Sequence, residues 1–418
     1  MIKVYPSVLN GTIKAPASAE YAMRLLFASS IPSKATTIKN VPDCGAIDTA
    51  IDCLISLGCR IQKTKDENGR YTVIVEPFVK TRPLQELNFN FKDCAPTAYF
   101  VTAIAAAFAI KAHCRAEGTL PRRQHISFTG RLALRGITFS GFSYPFSMSG
   151  KLSPGYFEFR GDEGAQYISA LLMVLPVLSD DSYIKVIKPY TERSLIDITL
   201  DILRKFNIKV EEKEDGFFIP GKQYYDSPGE LTCENAWSLA TLWTSAGAAC
   251  EHKGGRVAVS GLERDSYQAY RTTREVYPLI CQSFEDLNIN AEEFPELASY
   301  FAALAVSKGA MIRVDGVPQL KEKETNRLRA IGLCFERYGV EYGSDDSSFW
   351  IRGIKDKAYP ENMLIDTMGD PWVFMSIVLA SVSFNVPITL TNEHEAEKIY
   401  REFLDDFKAL GGKFEIID

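Results

Sequence analysis

The sequence predicts an α/β fold made of repeats and gathered into two domains of three repeats each, and two recurring features predict it. The first is a helix that ends in Gly or Asn and turns at once into a short strand. It occurs at Leu57-Gly58-Cys-Arg-Ile61, Arg135-Gly136-Ile-Thr-Phe139, Phe206-Asn207-Ile-Lys-Val210, Leu287-Asn288-Ile-Asn290, Tyr338-Gly339-Val-Glu-Tyr342 and Leu410-Gly411-Gly-Lys-Phe414. Gly and Asn tolerate the left-handed conformation that closes a helix, and the alternation that follows suits a half-buried strand. These markers are 78, 71, 81, 51 and 72 residues apart, a recurrence that reads as a repeat architecture with one short interval. The second feature is a set of six small, apolar, nearly uncharged segments between the markers: 21–29, 97–110, 167–178, 237–250, 297–306 and 373–382. A helix that is apolar all round is a buried one.

Each repeat therefore supplies one buried helix, one surface helix and short strands. The polar stretch Gly221-Lys-Gln-Tyr-Tyr-Asp-Ser-Pro-Gly229 falls between the third and fourth copies and reads as a linker. The expected domains are 15–226, and 1–14 joined with 227–418.

Composition narrows the function. At 418 residues there is ample apolar content for full cores. The net charge of −6, without a long basic block or an aromatic-basic face, argues against nucleic acid as a partner. Nine cysteines lack any C-x-x-C pair, and His113, His125, His252 and His394 are far apart, so neither a zinc site nor a disulfide framework is expected. With no basic-then-apolar leader and no apolar run of membrane length, the expectation is a cytoplasmic protein with reduced thiols.

The richest local signal is Gly316-Val-Pro-Gln-Leu-Lys-Glu-Lys-Glu-Thr-Asn-Arg327-Leu-Arg-Ala-Ile-Gly332. A Pro/Gly loop crowds charges together and then runs into a helix whose apolar positions are Leu328, Ile331, Leu333, Cys334 and Tyr338. Lys323, Glu324 and Arg327 offer two cations for an anionic ligand and one carboxylate for proton transfer. The same charges would also serve an ordinary solvated helix start.

With these repeats in this order, the chain resembles the enolpyruvyl transferases, and within them the EPSP synthase (3-phosphoshikimate 1-carboxyvinyltransferase) family. The likeness spans essentially the full length. It rests on Gly11-Thr-Ile-Lys-Ala-Pro16, Gln166-Tyr-Ile-Ser-Ala-Leu-Leu-Met173, Ile196-Asp-Ile-Thr-Leu200, Trp237-Ser-Leu-Ala240 and Leu320-Lys-Glu-Lys-Glu-Thr-Asn-Arg327. The resemblance implies a two-domain inside-out α/β barrel of three βαβαββ repeats per domain, with the active cleft between the domains. The first strand then belongs with the C-terminal half. The implied substrates are shikimate 3-phosphate and phosphoenolpyruvate (PEP), handled by a monomer with neither metal nor organic cofactor. Helix N-termini aimed at the cleft would attract both phosphates.

Carried over residue by residue, the resemblance assigns proton transfer to Glu324 and to Glu296, which stands where the family has an Asp. It assigns substrate binding to Arg24, Thr97, Gln166, Gln319, Lys323 and Arg327. Other family positions are replaced. The catalytic Lys is Ala19 and the following Ser is Glu20. A Gly that lets backbone approach PEP is Pro96, and the Arg after it is Phe100. A further Arg aligns with Gln124, beside Arg122 and Arg123. The Ser pair that grips the ring phosphate is Gly164 and Ala165, the Asp-His-Arg motif reads Asp370-Pro-Trp372, and a late Lys is Glu397, next to Lys398.

Helix starts are acidic at Glu20, Asp93, Asp162, Glu163, Glu234, Glu293 and Asp370, which suits ordinary caps and disfavours multiply charged anions. Two readings stand side by side. One is a carboxyvinyltransferase, supported by Arg24, Gln166, Lys323, Glu324 and Arg327. The other is a catalytically inactive relative that keeps the fold as a binding or regulatory clamp, or a transferase with a changed acceptor, supported by Ala19, Phe100, Trp372 and Glu397.

Overall fold

A computed structural model of the chain describes residues 1–67, 69–79, 86–123, 125–323, 325–355, 358–360 and 362–417. The chain forms two compact units, Ala17–Glu234 and Met1–Pro16 with Asn235–Asp418.

The unit Ala17–Glu234 carries helices α1 (Ala19–Ser29), α2 (Gly45–Leu57), α3 (Ala95–Ala107), α4 (Ile126–Ala133), α5 (Ala165–Val174) and α6 (Arg193–Lys205). Its strands form three four-stranded sheets. In one, Leu87–Asn90 runs parallel to Ala112–Arg115 across α3, and Ala112–Arg115 is antiparallel to Phe146–Gly150, which pairs with Ile137–Phe139. The same order recurs from Tyr156–Arg160 through Ser182–Ile187 and Gly216–Ile219 to Glu211–Lys213. Each repeat is thus βαβαββ, its parallel pair joined by a buried helix. The third sheet takes its first strand from the far end of the unit: Glu230–Thr232 lies parallel to Thr36–Val41. That pairing carries the unit past the polar stretch ending at Gly229.

The second unit carries α7 (Trp237–Ala249), α8 (Val276–Gln282), α9 (Leu297–Lys308), α10 (Arg327–Glu336), α11 (Pro371–Ala380) and α12 (Phe403–Ala409). Leu287–Asn290, Met311–Asp315, Phe349–Arg352 and Glu341–Ser344 repeat the four-strand order. In the next sheet the N-terminal strand Ile2–Tyr5 sits between Ile388–Leu390 and Lys413–Ile416. The remaining sheet has only two strands, Asn10–Lys14 parallel to Arg256–Ser260.

That short sheet explains the one misread marker. Gly58, Gly136, Asn207, Gly339 and Gly411 all have positive φ at helix ends, whereas Asn288 lies inside the strand Leu287–Asn290. Helix α8 ends at Gln282 and feeds directly into the next repeat's parallel pair, so no closing hairpin follows it. Alternating apolar residues after a Leu-Asn pair look the same whether the strand opens a repeat or closes one. At Gly58 the left-handed turn (φ 103°) returns the backbone N–H to the carbonyls of Ile55 and Leu54, a geometry a Cβ would strain.

The six apolar segments are α1, α3, α5, α7, α9 and α11. Every residue from Leu297 to Val306 is buried, and α11 is buried apart from Trp372. At roughly 1.5–3 kcal/mol for each large apolar side chain taken out of water, these helices dominate the stability of their units. In α3 the alanines Ala95, Ala98, Ala103 and Ala105 keep the helix slim, and Phe100 stacks on Phe27 of α1 with centroids 5.2 Å apart.

One polar group is sealed into the aromatic packing beside α3 and α4. His125 is 1% exposed; its Nε2 lies 3.0 Å from the Leu120 carbonyl and its Nδ1 3.2 Å from the Tyr99 hydroxyl. A carbonyl can only accept, so Nε2 carries the proton and Nδ1 accepts from Tyr99, which is the neutral ring. Burial pushes its pKa below the ordinary value. A folded-state pKa below the unfolded one gives stability that is full above pH 6.5 and is lost as the pH falls through that value towards the folded one. Urea unfolding of the wild type between pH 7.5 and 5 is expected to show this loss, and His125→Phe to flatten the slope over the same range.

Candidate functional site

The candidate residues form separate clusters, each at the start of buried helices within its own unit. In the unit Ala17–Glu234 the centre is Arg24, one turn into α1 and 0% exposed. Ser18 caps the helix by accepting from the Tyr21 N–H. The Arg24 Nε donates to Thr199 Oγ1 of α6 at 2.8 Å, and Nη1 donates to the Glu20 carbonyl and to Glu20 Oε2, both at 2.9 Å. Nη2 donates to Gln166 Oε1 at 3.0 Å and to Ser169 Oγ at 3.5 Å, both on α5. Gln166 Nε2 in turn donates to Glu20 Oε2 at 3.1 Å. The Phe100 ring lies 5.7 Å from the guanidinium carbon. Burial pulls the Arg24 pKa down, and the Glu20 carboxylate pushes it back up.

The start of α3 is organised by Asp93, whose Oδ1 accepts from the Thr119 N–H and hydroxyl and from the Leu120 N–H at 2.9–3.1 Å. Arg123 Nη2 approaches the same oxygen at 3.6 Å and donates to Thr119 Oγ1 at 3.0 Å. Pro96 takes the second helical position, where its missing N–H costs the helix nothing but leaves one donor fewer for an anion. Thr97 is fully buried, with its hydroxyl 3.2 Å from Cys94 Sγ. At the start of α5, Gly164 (φ 140°) and buried Ala165 carry no hydroxyl. Glu163 beside them pairs with Arg131 at 2.9 Å, and Asp162 with Arg160 at 2.7 Å. The Arg160 hydrogen bond holds the Asp162 carboxyl below its usual range.

In the other unit the most buried ion pair among the described residues is between Arg327, the first residue of α10, and Asp370, which caps α11. They are 1% and 0% exposed, with Nε 2.7 Å from Oδ2. The other oxygen, Oδ1, accepts from the Trp372 and Val373 N–H groups at 3.0 and 3.1 Å. One carboxylate thus fixes the guanidinium and the helix start together, and Thr325 Oγ1 adds a bond to Oδ2 at 3.4 Å. Glu296, at the start of α9, accepts from the buried Tyr270 hydroxyl and lies 3.8 Å from Lys323 Nζ. Burial, then the Glu296 charge, raise the Tyr270 pKa well above its ordinary value. Gln319 is buried and donates to the Glu292 carbonyl at 3.2 Å. Glu397 accepts from His394 Nδ1 at 2.6 Å, while Lys398 donates to the Gly369 carbonyl just before α11. Trp372 is half-buried on the first turn of that helix.

The sequence profile of the EPSP synthase (3-phosphoshikimate 1-carboxyvinyltransferase) family matches residues 4–407. This chain belongs to the EPSP synthase family. It is 26% identical over 436 residues to the 3-phosphoshikimate 1-carboxyvinyltransferase of Clostridium kluyveri, covering 99% of this chain and 98% of the relative. Identity to that of Saccharolobus solfataricus is 25% over 447 residues, covering 100% of both. Among solved structures, an EPSP synthase from Acinetobacter baumannii superposes with a TM-score of 0.76 at 13% identity, covering 100% of this chain and 99% of that one. The enolpyruvyl transferase NikO from Streptomyces tendae gives 0.69 at 15% identity, covering 99% and 98%. The fold is the enolpyruvyl transferase fold.

Set on that fold, the residues carried over by resemblance to EPSP synthases sort into groups. Arg24 and Gln166 are hydrogen-bonded to one another, and Lys323 lies beside Glu296. Arg327 and Gln319 are buried against their own unit. Glu324 and Gln124 lie outside the described residues. Sequence reasoning passed over three groups that the geometry makes central: Glu20 as the partner of Arg24, Asp370 as the partner of Arg327, and Tyr270 on Glu296. The Glu20–Arg24 spacing of one helical turn was a readable signal, whereas the other two pairings are long-range.

Among the described residues, Arg24, Arg123, Arg131, Arg160, Lys323 and Arg327 each lie within 4 Å of a carboxylate of their own unit. Removing one partner of a buried ion pair leaves an uncompensated charge, which costs about 3–5 kcal/mol. Asp370→Ala is expected to destabilise by about that much in urea unfolding, since the α11 cap is lost as well. Asp370→Asn keeps the capping oxygen but not the charge, so it is expected to recover only the cap's share, about 1 kcal/mol.

Proposed function

We propose that the protein is an EPSP-synthase-type carboxyvinyltransferase, acting as a cytoplasmic monomer on two small anions, shikimate 3-phosphate and PEP. The observation that carries this reading is the survival of both halves of the family's chemistry on a full-length match. Arg24, Gln166 and Lys323 contact substrate, Arg327 contacts PEP, and Glu296 takes part in proton transfer. In the reaction the acceptor hydroxyl oxygen bonds to C2 of PEP, its proton passes to a carboxylate, and C3 of PEP is protonated. The C3 proton is then lost as the C2–O bond to phosphate breaks, giving the enol ether and inorganic phosphate. Glu324 and Glu296 are the assigned proton carriers. Lys323 and Arg327 neutralise charge that develops on the phosphate and carboxylate.

A second reading is a clamp that has given up catalysis. The specific support is charge: Ala19, Phe100, Trp372 and Glu397 remove cations, and the internal ion pairs engage most of those that remain. Each charge-assisted hydrogen bond contributes roughly 1.5–3 kcal/mol, so losing several would weaken PEP binding by orders of magnitude.

Calorimetric titration with shikimate 3-phosphate, alone and with PEP, separates the two readings, followed by an assay of released phosphate. The transferase reading expects binding that tightens with PEP and steady phosphate release. No heat with either ligand and no phosphate would overturn it. The clamp reading expects activity to appear only in the Ala19→Lys/Glu397→Lys double variant; equal turnover in wild type and variant excludes that reading.

A further inference from the structure

The five N–H groups of Arg24 all have acceptors: Thr199, Gln166 and Ser169, and the carbonyl and carboxylate of Glu20. Among the described residues, the carboxylate bonded to this buried guanidinium is Glu20, one helical turn away, while Glu192 adds negative charge without a hydrogen bond to it. Two donors from different helices, Arg24 Nη1 and Gln166 Nε2, converge on the single oxygen Glu20 Oε2 at 2.9 and 3.1 Å. A cation and an amide N–H aimed at one oxygen are the recognition chemistry of an anionic ligand, and here the oxygen belongs to the chain. Arg24 is 0% exposed, but the Glu20 side chain is 46% exposed, so the carboxylate can swing into solvent while the arginine stays in place.

We infer that Glu20 is a built-in counter-ion that fills the anion seat of Arg24 and Gln166, so that an anionic ligand group enters this seat only by displacing it. Glu20 is therefore a specificity-determining residue. With the carboxylate in place, the seat favours a hydroxyl-bearing or other uncharged group that can donate to it. With the carboxylate removed, the same donors take phosphate or carboxylate. Ala19 and Phe100 agree with this. Neither neighbour supplies a further cation, and the Phe100 ring packs under Arg24, so a single carboxylate suffices to neutralise the cluster.

The inference rests on the assignment of Arg24 and Gln166 to a ligand site, but it is read without turnover. Inorganic phosphate, a probe independent of the acceptor's identity, is titrated into the full-length wild type, Glu20→Ser and Glu20→Gln. Both variants are expected to bind phosphate at least about tenfold more tightly than the wild type, with the gain shrinking as salt is raised. Adding Arg24→Gln to Glu20→Ser is expected to abolish the gain. Equal affinity in wild type and variants, including no binding by any of them, overturns the inference, as does a gain that survives Arg24→Gln. Glu20→Gln preserves size and hydrogen bonding, so it carries the test if Glu20→Ser does not fold. Failure of the transferase assay leaves this comparison unaffected.

Discussion

A guanidinium removed from water must find an anion, because an unmatched buried charge costs more than a domain can spare. Arg24 and Arg327 stand under that constraint, one in each unit, and much of the local architecture follows from it. Arg327 is met by Asp370, whose second oxygen caps α11, so the placement of α10 and α11 depends on one carboxylate. Arg24 is met by Glu20, with Gln166, Ser169 and Thr199 completing its shell, so α1, α5 and α6 are tied together at a single side chain. Polar side chains sit on the first turns because the remaining turns are packed with apolar residues.

Much of this fold was legible in the sequence, for a physical reason. A helix covered on all sides has no polar stripe, and a helix closing into a strand needs a residue that tolerates positive φ. Both leave local signatures, which is why α1, α3, α5, α7, α9 and α11 and the turns at Gly58, Gly136, Asn207, Gly339 and Gly411 are readable one at a time. Asn288 failed because its signature was only half present: the alternating strand was there, but the residue lies inside it. Strand partners are a different matter. Family likeness gave only that the first strand belongs with the C-terminal half; its place between Ile388–Leu390 and Lys413–Ile416 was not readable, since nothing in four residues specifies partners nearly the whole chain away.

The site was legible as a list of residue types and not as a network. Glu20 and Asp370 read from sequence as acids at helix starts, where a carboxylate is stabilised by the exposed N–H groups. For Asp370 that reading is correct through Oδ1 and incomplete through Oδ2, because the arginine it holds is distant in sequence. Pro96 and Thr97 show the converse. Both are at home in an ordinary buried helix, Thr97 with its hydroxyl turned to Cys94, and their types alone do not separate a ligand contact from helix packing.

The replacements around Arg24 are best understood together. Where the resemblance places a Lys and an Arg, the chain has Ala19 and Phe100, and where it places a Ser, the chain has Glu20. With several cations converging, the cluster would carry surplus positive charge that only a bound anion could neutralise, so folding and ligand binding would be coupled through electrostatics. With one arginine and one carboxylate, the cluster is neutral without a ligand, and the Phe27–Phe100 stack occupies space on the apolar side. An anion must then compete with a carboxylate already present at the effective concentration of its own helix turn. An uncharged donor group faces no such competitor, and its hydrogen bond to Glu20 would add to the network. The substitutions thus change the requirement from an anion that completes the site to a ligand that accepts a site already complete.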